Sequence, residues 1–182
     1  RIGVDESGKG DFFGPLCVAG VYANEAALRS WKDLGVQDSK NIKNDQQISL
    51  LAQKIRATQG VVYDVVAIGN EAYNRLHTKM KTVNLVLAWG HARVIENLLG
   101  KSLQMVPPPV KAISDQFAGT AATVERALMK LGRALPLVQM HKAESDLVVA
   151  AASILARDEF VRRLRKMGDQ YQFTFPKGAV QV

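Results

Sequence analysis

Acidic residues stand where the strands of this sequence are predicted to end. Asp5 and Glu6 close the first predicted strand, Asp115 closes another near the middle of the chain, and Glu144 follows a short strand at the start of a buried helix. In an open α/β sheet, ligands bind at the strand ends. Carboxylates gathered there repel one another, and divalent cations that favour oxygen ligands, such as Mg²⁺ or Mn²⁺, relieve that repulsion. The spacing therefore predicts a metal site.

This interpretation carries a geometric condition and has an alternative. Successive side chains on a strand point to opposite faces of the sheet. Glu6 can therefore join Asp5 only if the strand has ended or twisted there, which the nearby Gly8 and Gly10 allow. In the alternative, these carboxylates are surface groups and helix caps, a role that suits Glu144 near a helix N-terminus. Spacing alone leaves both interpretations open.

Residues 3–10 nearly match the phosphate-binding loop G-x-x-x-x-G-K-[ST] of nucleoside triphosphatases. Gly10 stands where a hydroxyl residue would hold Mg²⁺, and Asp5 and Glu6 would put negative charge where phosphates are cradled. A triphosphatase is therefore excluded. What remains is a flexible Gly8-Lys9-Gly10 segment whose backbone can approach a ligand closely beside a cation. The plainer alternative is a tight turn with a solvated lysine.

Strands and helices alternate along the chain. Apolar runs of strand length predict strands over residues 2–5, 16–23, 61–68, 110–114 and 137–140. Apolar residues at helical spacing predict helices around residues 48–55, 85–99, 124–131 and 145–165. The last helix is apolar on nearly every side in its first half, so it is expected to be buried. This alternating order indicates an α/β layered domain.

The composition points to a globular domain with a basic surface. The 182 residues are 47% hydrophobic and 23% charged, with a formal net charge of +7, which excludes a disordered chain and fits one domain over residues 1–182. The charge favours polyanionic partners such as nucleic acid, although it can also serve solubility alone. The longest nearly uncharged stretch, 147–156, is too short to span a bilayer. The lone Cys17 is compatible with a reducing cytosol.

Specific sequence blocks extend over nearly the whole chain. The first is GVDESGKGDFFGPL at 3–16, and the last is KAES at 142–145 followed by AAASILAR at 150–157. Between them stand DSK at 38–40, Asn84 followed by WGHA at 89–92, and SDQF at 114–117. In type and order these blocks closely resemble bacterial ribonuclease HIII, of the type 2 ribonuclease H family.

The resemblance implies an RNase H-like fold, with a central mixed β-sheet flanked by helices, and a metal-dependent endoribonuclease. Asp5, Glu6, Asp115 and Glu144 occupy the positions of the family's catalytic, metal-binding carboxylates, and Asp146 is the main rival for the fourth position. Two divalent ions, Mg²⁺ or Mn²⁺, are expected to act during catalysis. The implied reaction is hydrolysis of the RNA strand of RNA/DNA hybrids, leaving 3′-hydroxyl and 5′-phosphate ends.

The resemblance also implies a branch, an organisation and a location. Lys9 stands where the sister ribonuclease HII enzymes usually carry Arg, and Glu144 where they usually carry Asp, so both favour the HIII branch. The family's N-terminal substrate-binding domain is absent from residues 1–182, and the C-terminal end is expected to be truncated. We expect a cytoplasmic, monomeric enzyme that needs no protein partner and no membrane.

Six residues are expected to contact the hybrid: Gly8, Lys9, Gly10, Ser39, Lys40 and Asn84. The first three resemble the family element that contacts the 2′-hydroxyl, the group that distinguishes RNA from DNA. Gly10→Val is therefore expected to abolish cleavage without preventing folding. Ser39 and Lys40 combine a hydroxyl with a cation, which suits a phosphate. Asn84 resembles a nucleic-acid contact, although a buried helical Asn can equally bond the backbone.

Other polar and aromatic residues receive structural interpretations. The three histidines, His77, His91 and His141, show no metal-ligand spacing, and His141 is the one nearest a site segment. Phe12 and Phe13 are expected to pack beneath the metal site. Two other functions stay open: a non-catalytic hybrid-binding module, and a nuclease of the same fold class that cuts another substrate, such as DNA junctions.

Overall fold

The computed structural model describes residues 1–115 and 122–179 of the chain. In this part the strands are β1 Ile2–Ser7, β2 Leu16–Ala23, β3 Val61–Ile68, β4 Ala112–Asp115 and β5 Leu137–Met140. The α-helices are α1 Glu25–Trp31, α2 Asp45–Ala57, α3 Asn70–Met80, α4 Val83–Leu99, α5 Ala122–Ala127 and α6 Leu147–Tyr171. Short 3₁₀ turns occupy Ser39–Asn41, Ser102–Gln104, Gly132–Ala134 and Ala143–Ser145.

The strands form one mixed sheet in the order β3-β2-β1-β4-β5. β2 is antiparallel to both β1 and β3, whereas β1 pairs parallel with β4, and β4 with β5. Parallel strands bring their carboxyl ends to the same edge of a sheet. The register pairs Val4 with Ser114, so Asp5 and Asp115 follow one residue further along each strand. The topology thus places two of the predicted site carboxylates side by side.

Helices cover both faces of the sheet. α6 lies on one face together with α1 and α2, and α4 lies on the other face with α5. Gly3 of β1 makes the first contact unusually close, because a Cβ there would stand 2.4 Å from the backbone of Val148 in α6. Helix α6 then follows β1 toward its carboxyl end, where Gly8 faces Phe160. The buried first half of α6 matches the prediction of a buried helix.

The predicted elements agree with this architecture in most places. The bounds of β2, β3 and β5 are those predicted, but β1 runs two residues beyond Asp5 and α6 continues to Tyr171. The sequence pattern does not predict helices α1 and α3. α1 has only seven residues, and α3 is largely polar and buries none of its residues fully. Its apolar face, which includes Tyr73, Leu76 and Met80, packs only partly buried against the core. Gln116 and Phe117 of the SDQF block lie outside the described residues.

None of the helices in the described part of the chain combines the length and the apolar character that crossing a bilayer requires.

Candidate active site

Asp5 lies on the face of β1 that packs against α6. Its Oδ1 accepts a hydrogen bond from the Glu6 backbone N–H at 2.9 Å, and its carboxyl is also hydrogen-bonded by Ser153 of α6. Burial and, after it, the neighbouring charge of Glu6 raise the pKa of Asp5 to about 8, while the hydrogen bonds from the Glu6 backbone and Ser153 oppose this rise. Burial and repulsion destabilise the ionised form of this carboxyl, and a bound cation would stabilise it.

Glu6 lies on the opposite face of β1, toward α4. The strand continues through Ser7, so it does not end at Asp5, and the two carboxylates project to opposite faces. His91 Nε2 of α4 donates to Glu6 Oε2 at 3.0 Å. Burial alone would raise the pKa of Glu6, but the hydrogen bond and charge of His91 outweigh it and lower that pKa. Asp5 and Glu6 nevertheless line one cleft, which they enter from the two faces of the strand.

Asp115 and Glu144 complete the acidic cluster from the neighbouring strands. Asp115 is the last residue of β4, and its Oδ1 accepts from the backbone N–H of Ala143 at 3.5 Å. Glu144 is the next residue in the same 3₁₀ turn. Lys40 lies close enough to these carboxylates to feel their charges. Burial lowers the pKa of Lys40, but the negative charges of Asp38, Asp5, Glu144 and Asp115 outweigh this effect and raise it.

The cleft at this sheet edge has a volume of about 730 Å³. It brings together most of the predicted site residues: Asp5, Glu6, Gly8, Lys9, Ser39, Lys40 and Asp115. Glu144 does not line this cavity and stands in the turn beside Asp115. Gly10 lines an adjoining cavity of about 440 Å³, which shares Gly8 and Lys9 with the cleft. Asn84 is exposed in the first turn of α4, so it is not a buried asparagine bonded to the backbone, and its neighbour Val83 lines the second cavity.

Ser39 and Lys40 face different directions. Ser39 is only 6% exposed, and its hydroxyl lies 2.6 Å from Ser153 Oγ. That hydroxyl is therefore engaged with α6, a position that differs from the expected phosphate contact. Lys40 is exposed at the rim of the cleft. Of the predicted phosphate pair, only Lys40 is exposed, whereas the Ser39 hydroxyl is buried against α6.

Asp146, the rival of Glu144, has a different environment. Its side chain accepts from the Val148 backbone N–H at 3.0 Å and caps α6. Its carboxylate also pairs with Arg1 at 2.9 Å. Asp146 does not line the cleft. Asp146 therefore caps α6 and pairs with Arg1, and none of the contacts described for Glu144 is of this kind.

The donor set at the cleft consists of carboxylate oxygens, which suit hard divalent cations such as Mg²⁺ and Mn²⁺. Among residues 1–115 and 122–179, no three His, Cys, Asp or Glu side chains are grouped closely enough to enclose a metal ion. Burial first, and the charge of Glu6 second, raise the pKa of Asp5, and a bound cation would offset both effects. The chemistry of the donors therefore fits a hard divalent cation.

Three features of the site escape sequence reasoning. His91, and not His141, contacts a site carboxylate. Ser153 and Arg157 of α6 reach the cleft, although both sit in a run that is otherwise apolar. Phe12 is 65% exposed, so the expectation that it packs beneath the site is wrong, whereas Phe13 does pack against a small buried cluster. A polar residue on the buried face of a predicted helix, such as His91, is the sequence feature that could have indicated a contact with a site carboxylate.

The fold and the cleft define the class of protein. The sequence model of the ribonuclease HII family matches residues 2–180, and the chain belongs to this family. Within it, the similarity is to ribonuclease HIII, as the sequence blocks predicted. The chain is 51% identical to ribonuclease HIII of Chlamydia pneumoniae over 180 residues, which cover 98% of this chain and 58% of that protein.

Solved structures give the same picture. The crystal structure of Bst-RNase HIII in complex with Mn²⁺ matches with a TM-score of 0.86 and 31% identity, covering 98% of this chain and 57% of that one. Ribonuclease HII of Archaeoglobus fulgidus, solved in complex with PCNA, matches with a TM-score of 0.81 and 29% identity, covering 98% and 80%. The predicted RNase H-like fold with a mixed sheet flanked by helices is confirmed.

Proposed function

We propose that this chain is the catalytic part of a metal-dependent endoribonuclease that hydrolyses the RNA strand of RNA/DNA hybrids. The observation that carries the proposal is the convergence of Asp5, Glu6 and Asp115 on one cleft beside the Gly8-Lys9-Gly10 segment. Membership of the ribonuclease HII family supports the reaction class. The Mn²⁺ complex of Bst-RNase HIII supports the use of Mg²⁺ or Mn²⁺.

In this proposal Asp5, Glu6, Asp115 and Glu144 are the catalytic residues and hold two divalent ions. When bound, the ions supply the positive charge that activates a water and stabilises the leaving 3′ oxygen at the scissile phosphate. The protein contributes the placement of four carboxylates, two from opposite faces of β1, one from the end of β4 and one from the 3₁₀ turn Ala143–Ser145. His91 and Ser153 hold two of these carboxylates in position. The products carry 3′-hydroxyl and 5′-phosphate ends.

Recognition of the hybrid is assigned to the rim of the cleft. Gly8 and Gly10 have φ of 93° and 82°, a conformation that favours glycine, and Gly10 has open space where a Cβ would be. The backbone there can approach a 2′-hydroxyl closely. Lys9 and Lys40 supply cations for phosphates. We assign Asn84 to the nucleic acid as well, and Ser39 to the support of Lys40.

The organisation of the enzyme is also a proposal. The chain spans 58% of the length of its Chlamydia pneumoniae relative. We propose that residues 1–182 form one catalytic domain that works as a monomer in the cytoplasm, without a protein partner.

Cleavage of an end-labelled RNA strand paired with DNA, in Mg²⁺ and in Mn²⁺, tests the proposed function. The parent chain is expected to cut the hybrid and leave 5′-phosphate products, and Asp115→Asn is expected to lose this cleavage. Asp33→Asn is the matched control, because Asp33 is an exposed aspartate outside the cleft. It should cut like the parent.

Substrate comparison separates the other two functions. A hybrid-binding module would cut nothing, and the parent and Asp115→Asn would bind the duplex equally well. A nuclease for DNA junctions would cut a junction without ribose in the cleaved strand. Equal cleavage by the parent and by Asp115→Asn would refute the assigned site, and cleavage of all-DNA duplexes would refute the assigned substrate.

A further inference from the structure

The segment that carries Lys40 is fastened to α6 by buried polar contacts. Ser153 Oγ lies 2.6 Å from Ser39 Oγ and 3.3 Å from Asp38 Oδ1. Asp38 and Ser39 are both buried, at 9% and 6% exposure, while Lys40 next to them is exposed. One serine of α6 thus anchors the base of a segment whose tip reaches the cleft.

Arg157, one helical turn after Ser153, makes a second attachment. Its Nη1 donates to the carbonyl oxygens of Ser39 and, at 2.8 Å, of Ile42. Its Nη2 donates to Asp45 Oδ1 at 3.3 Å. The planar guanidinium can satisfy these acceptors together because its donors are fixed in a fork. Arg157 therefore holds both ends of the 3₁₀ turn Ser39–Asn41.

Through these contacts the Arg157 guanidinium faces the protein interior. The Arg157 side chain is 19% exposed, and both of its terminal nitrogens are bonded to the protein. Asp45 is held in turn by Lys177 at 2.7 Å, which keeps the far end of this network in place. Arg157 lines the cleft, but both of its terminal nitrogens donate to residues within 39–45.

Lys40 is the group that this arrangement presents. Its backbone N–H donates to Asp38 Oδ1 at 3.1 Å, and its ammonium lies within the field of Asp5, Asp115 and Glu144. A phosphate bound at this carboxylate cluster would therefore lie close to the Lys40 ammonium. The lysine side chain is flexible and has high rotamer entropy. Fixing the backbone at residue 40 therefore limits the range of positions that its ammonium can occupy.

We propose that Arg157 is a positioning residue, which with Ser153 locks residues 38–42 onto α6 and so fixes the Lys40 ammonium at the phosphate side of the cleft. The attachment itself is a property of the protein alone. Only its effect on substrate rests on the proposed function, and the two parts are tested separately.

Amide hydrogen exchange tests the attachment without substrate. The N–H groups of Asn41 and Ile42 donate to the Asp38 and Ser39 carbonyls at 3.0 and 3.1 Å. In Arg157→Met and in Ser153→Ala, exchange at these amides should accelerate by about tenfold or more, because lost hydrogen bonds lower the cost of local opening. Arg163→Met is the matched control, since Arg163 on the same helix pairs with Glu159. Unchanged exchange in Arg157→Met would overturn the proposal.

A double-mutant cycle tests the effect on Lys40. In cleavage of the hybrid, Lys40→Met and Arg157→Met should each lower kcat/KM by about tenfold, the order of one charge-assisted hydrogen bond. The double variant should be no worse than either single variant, because Arg157 acts through Lys40. Independent contributions would multiply within about twofold. A multiplied loss would overturn the proposal and make Arg157 a direct phosphate contact.

Two variants keep this test sharp. If Arg157→Met does not fold, Arg157→Lys keeps the charge but lacks the fork, and it should show the same non-additive loss with Lys40→Met. Arg163→Met should leave kcat/KM within about twofold of the parent. If the parent chain cuts no hybrid, the proposed function fails, while the exchange experiment still decides whether Arg157 holds residues 38–42.

Discussion

His91 Nε2 lies 3.0 Å from Glu6 Oε2, so a helix on one face of the sheet holds a carboxylate that opens into the cleft at the sheet edge. His91 is fully buried and the Glu6 side chain is 12% exposed. A buried carboxylate needs such a partner, because an unpaired one is costly. The contact also fixes the direction of Glu6, although the neighbouring Asp5 is held from the other face.

We therefore expect His91→Phe to lower both stability and activity. Leaving the Glu6 carboxylate without its donor should cost about 1–3 kcal/mol in the free energy of unfolding, measured by urea denaturation. Hybrid cleavage should fall because Glu6 loses its fixed orientation. The double variant Glu6→Gln with His91→Phe should regain part of the stability but none of the activity. Equal stability of His91→Phe and the parent would show that the contact is unimportant.

Negative charge at the cleft should make the metal-free protein less stable than it could be. At a pH above about 8, where Asp5 is ionised, replacing it by Asn removes one charge from the pair with Glu6, and we expect the melting temperature Tm without divalent ions to rise there. Mn²⁺ at about 100 times its Kd should add about 2.7 kcal/mol to the parent, a Tm shift of about 5–10 °C for a chain of this size. Differential scanning calorimetry measures both effects.

The matched control for the metal experiment is Asp33→Asn. Its charge change is the same, but Asp33 is exposed and outside the cleft, so its Mn²⁺ shift should equal that of the parent. Asp5→Asn should show a clearly smaller shift. The same Mn²⁺ shift in all three proteins would mean that the ion binds elsewhere.

Glu144 and Asp146 offer a comparison between a proposed ligand and a helix cap. Asp146→Ala removes the N-cap of α6 and the partner of Arg1, and should cost about 1–2 kcal/mol while cleavage remains. Glu144→Ala should abolish cleavage and leave the unfolding free energy nearly unchanged. Paired urea denaturation and cleavage assays check both. The opposite pattern would make Asp146 the fourth metal-binding carboxylate.

Gly10 and Gly35 form a second matched pair. Both have positive φ, 82° and 72°, and both have open space where a Cβ would be. Alanine at either position should therefore cost about 1–2 kcal/mol through backbone strain alone. Only Gly10→Ala should also lose hybrid cleavage, because its new methyl group stands between the backbone and the ribose. Equal activity of the two variants would remove Gly10 from the recognition element.

The sequence predicts the sheet well because its strands are short apolar runs separated by turns. Strand ends locate Asp5 and Asp115, and parallel pairing brings them together. The sequence does not predict that β1 continues past Asp5, because a strand's length depends on its partner, and β2 pairs with β1 as far as Ser7. The strand at 137–140 also locates Glu144 after its end, and the family resemblance favours Glu144 over Asp146, because the 3₁₀ turn Ala143–Ser145 has no periodic signal.

Contacts between distant segments cannot be read from the sequence. The sequence places Ser39 at a phosphate because it stands next to Lys40, yet its hydroxyl turns toward Ser153, 114 residues away. The same holds for Arg157, which the sequence identifies only as a basic residue in a family block. Periodicity reports which face of an element is buried, but the partners of a buried polar group depend on how the elements pack.

Glu159 on α6 should make the stability of the protein depend on pH in the acid range. Burial raises the pKa of Glu159, but hydrogen bonds and charges from Arg162 and Arg163 outweigh it and lower that pKa below its ordinary value. A carboxyl with a lowered folded-state pKa stabilises the protein above its unfolded-state pKa of roughly 4.3. That contribution disappears as the pH falls through the lower, folded-state pKa.

Glu159→Gln should therefore be less stable than the parent by about 1–2 kcal/mol at pH 7, and the difference should shrink as the pH falls below the unfolded-state pKa of roughly 4.3. Glu71→Gln is the matched control. Glu71 pairs with Arg75 at 2.5 Å in the same i,i+4 arrangement as Glu159 with Arg163, but its side chain is 90% exposed where that of Glu159 is 8%. Solvent screening makes exposed pairs weak, so Glu71→Gln should change stability little at any pH. Urea denaturation of the three proteins between about pH 3 and pH 7 gives the comparison, and equal losses in both variants would show that burial adds nothing to the Glu159 cluster.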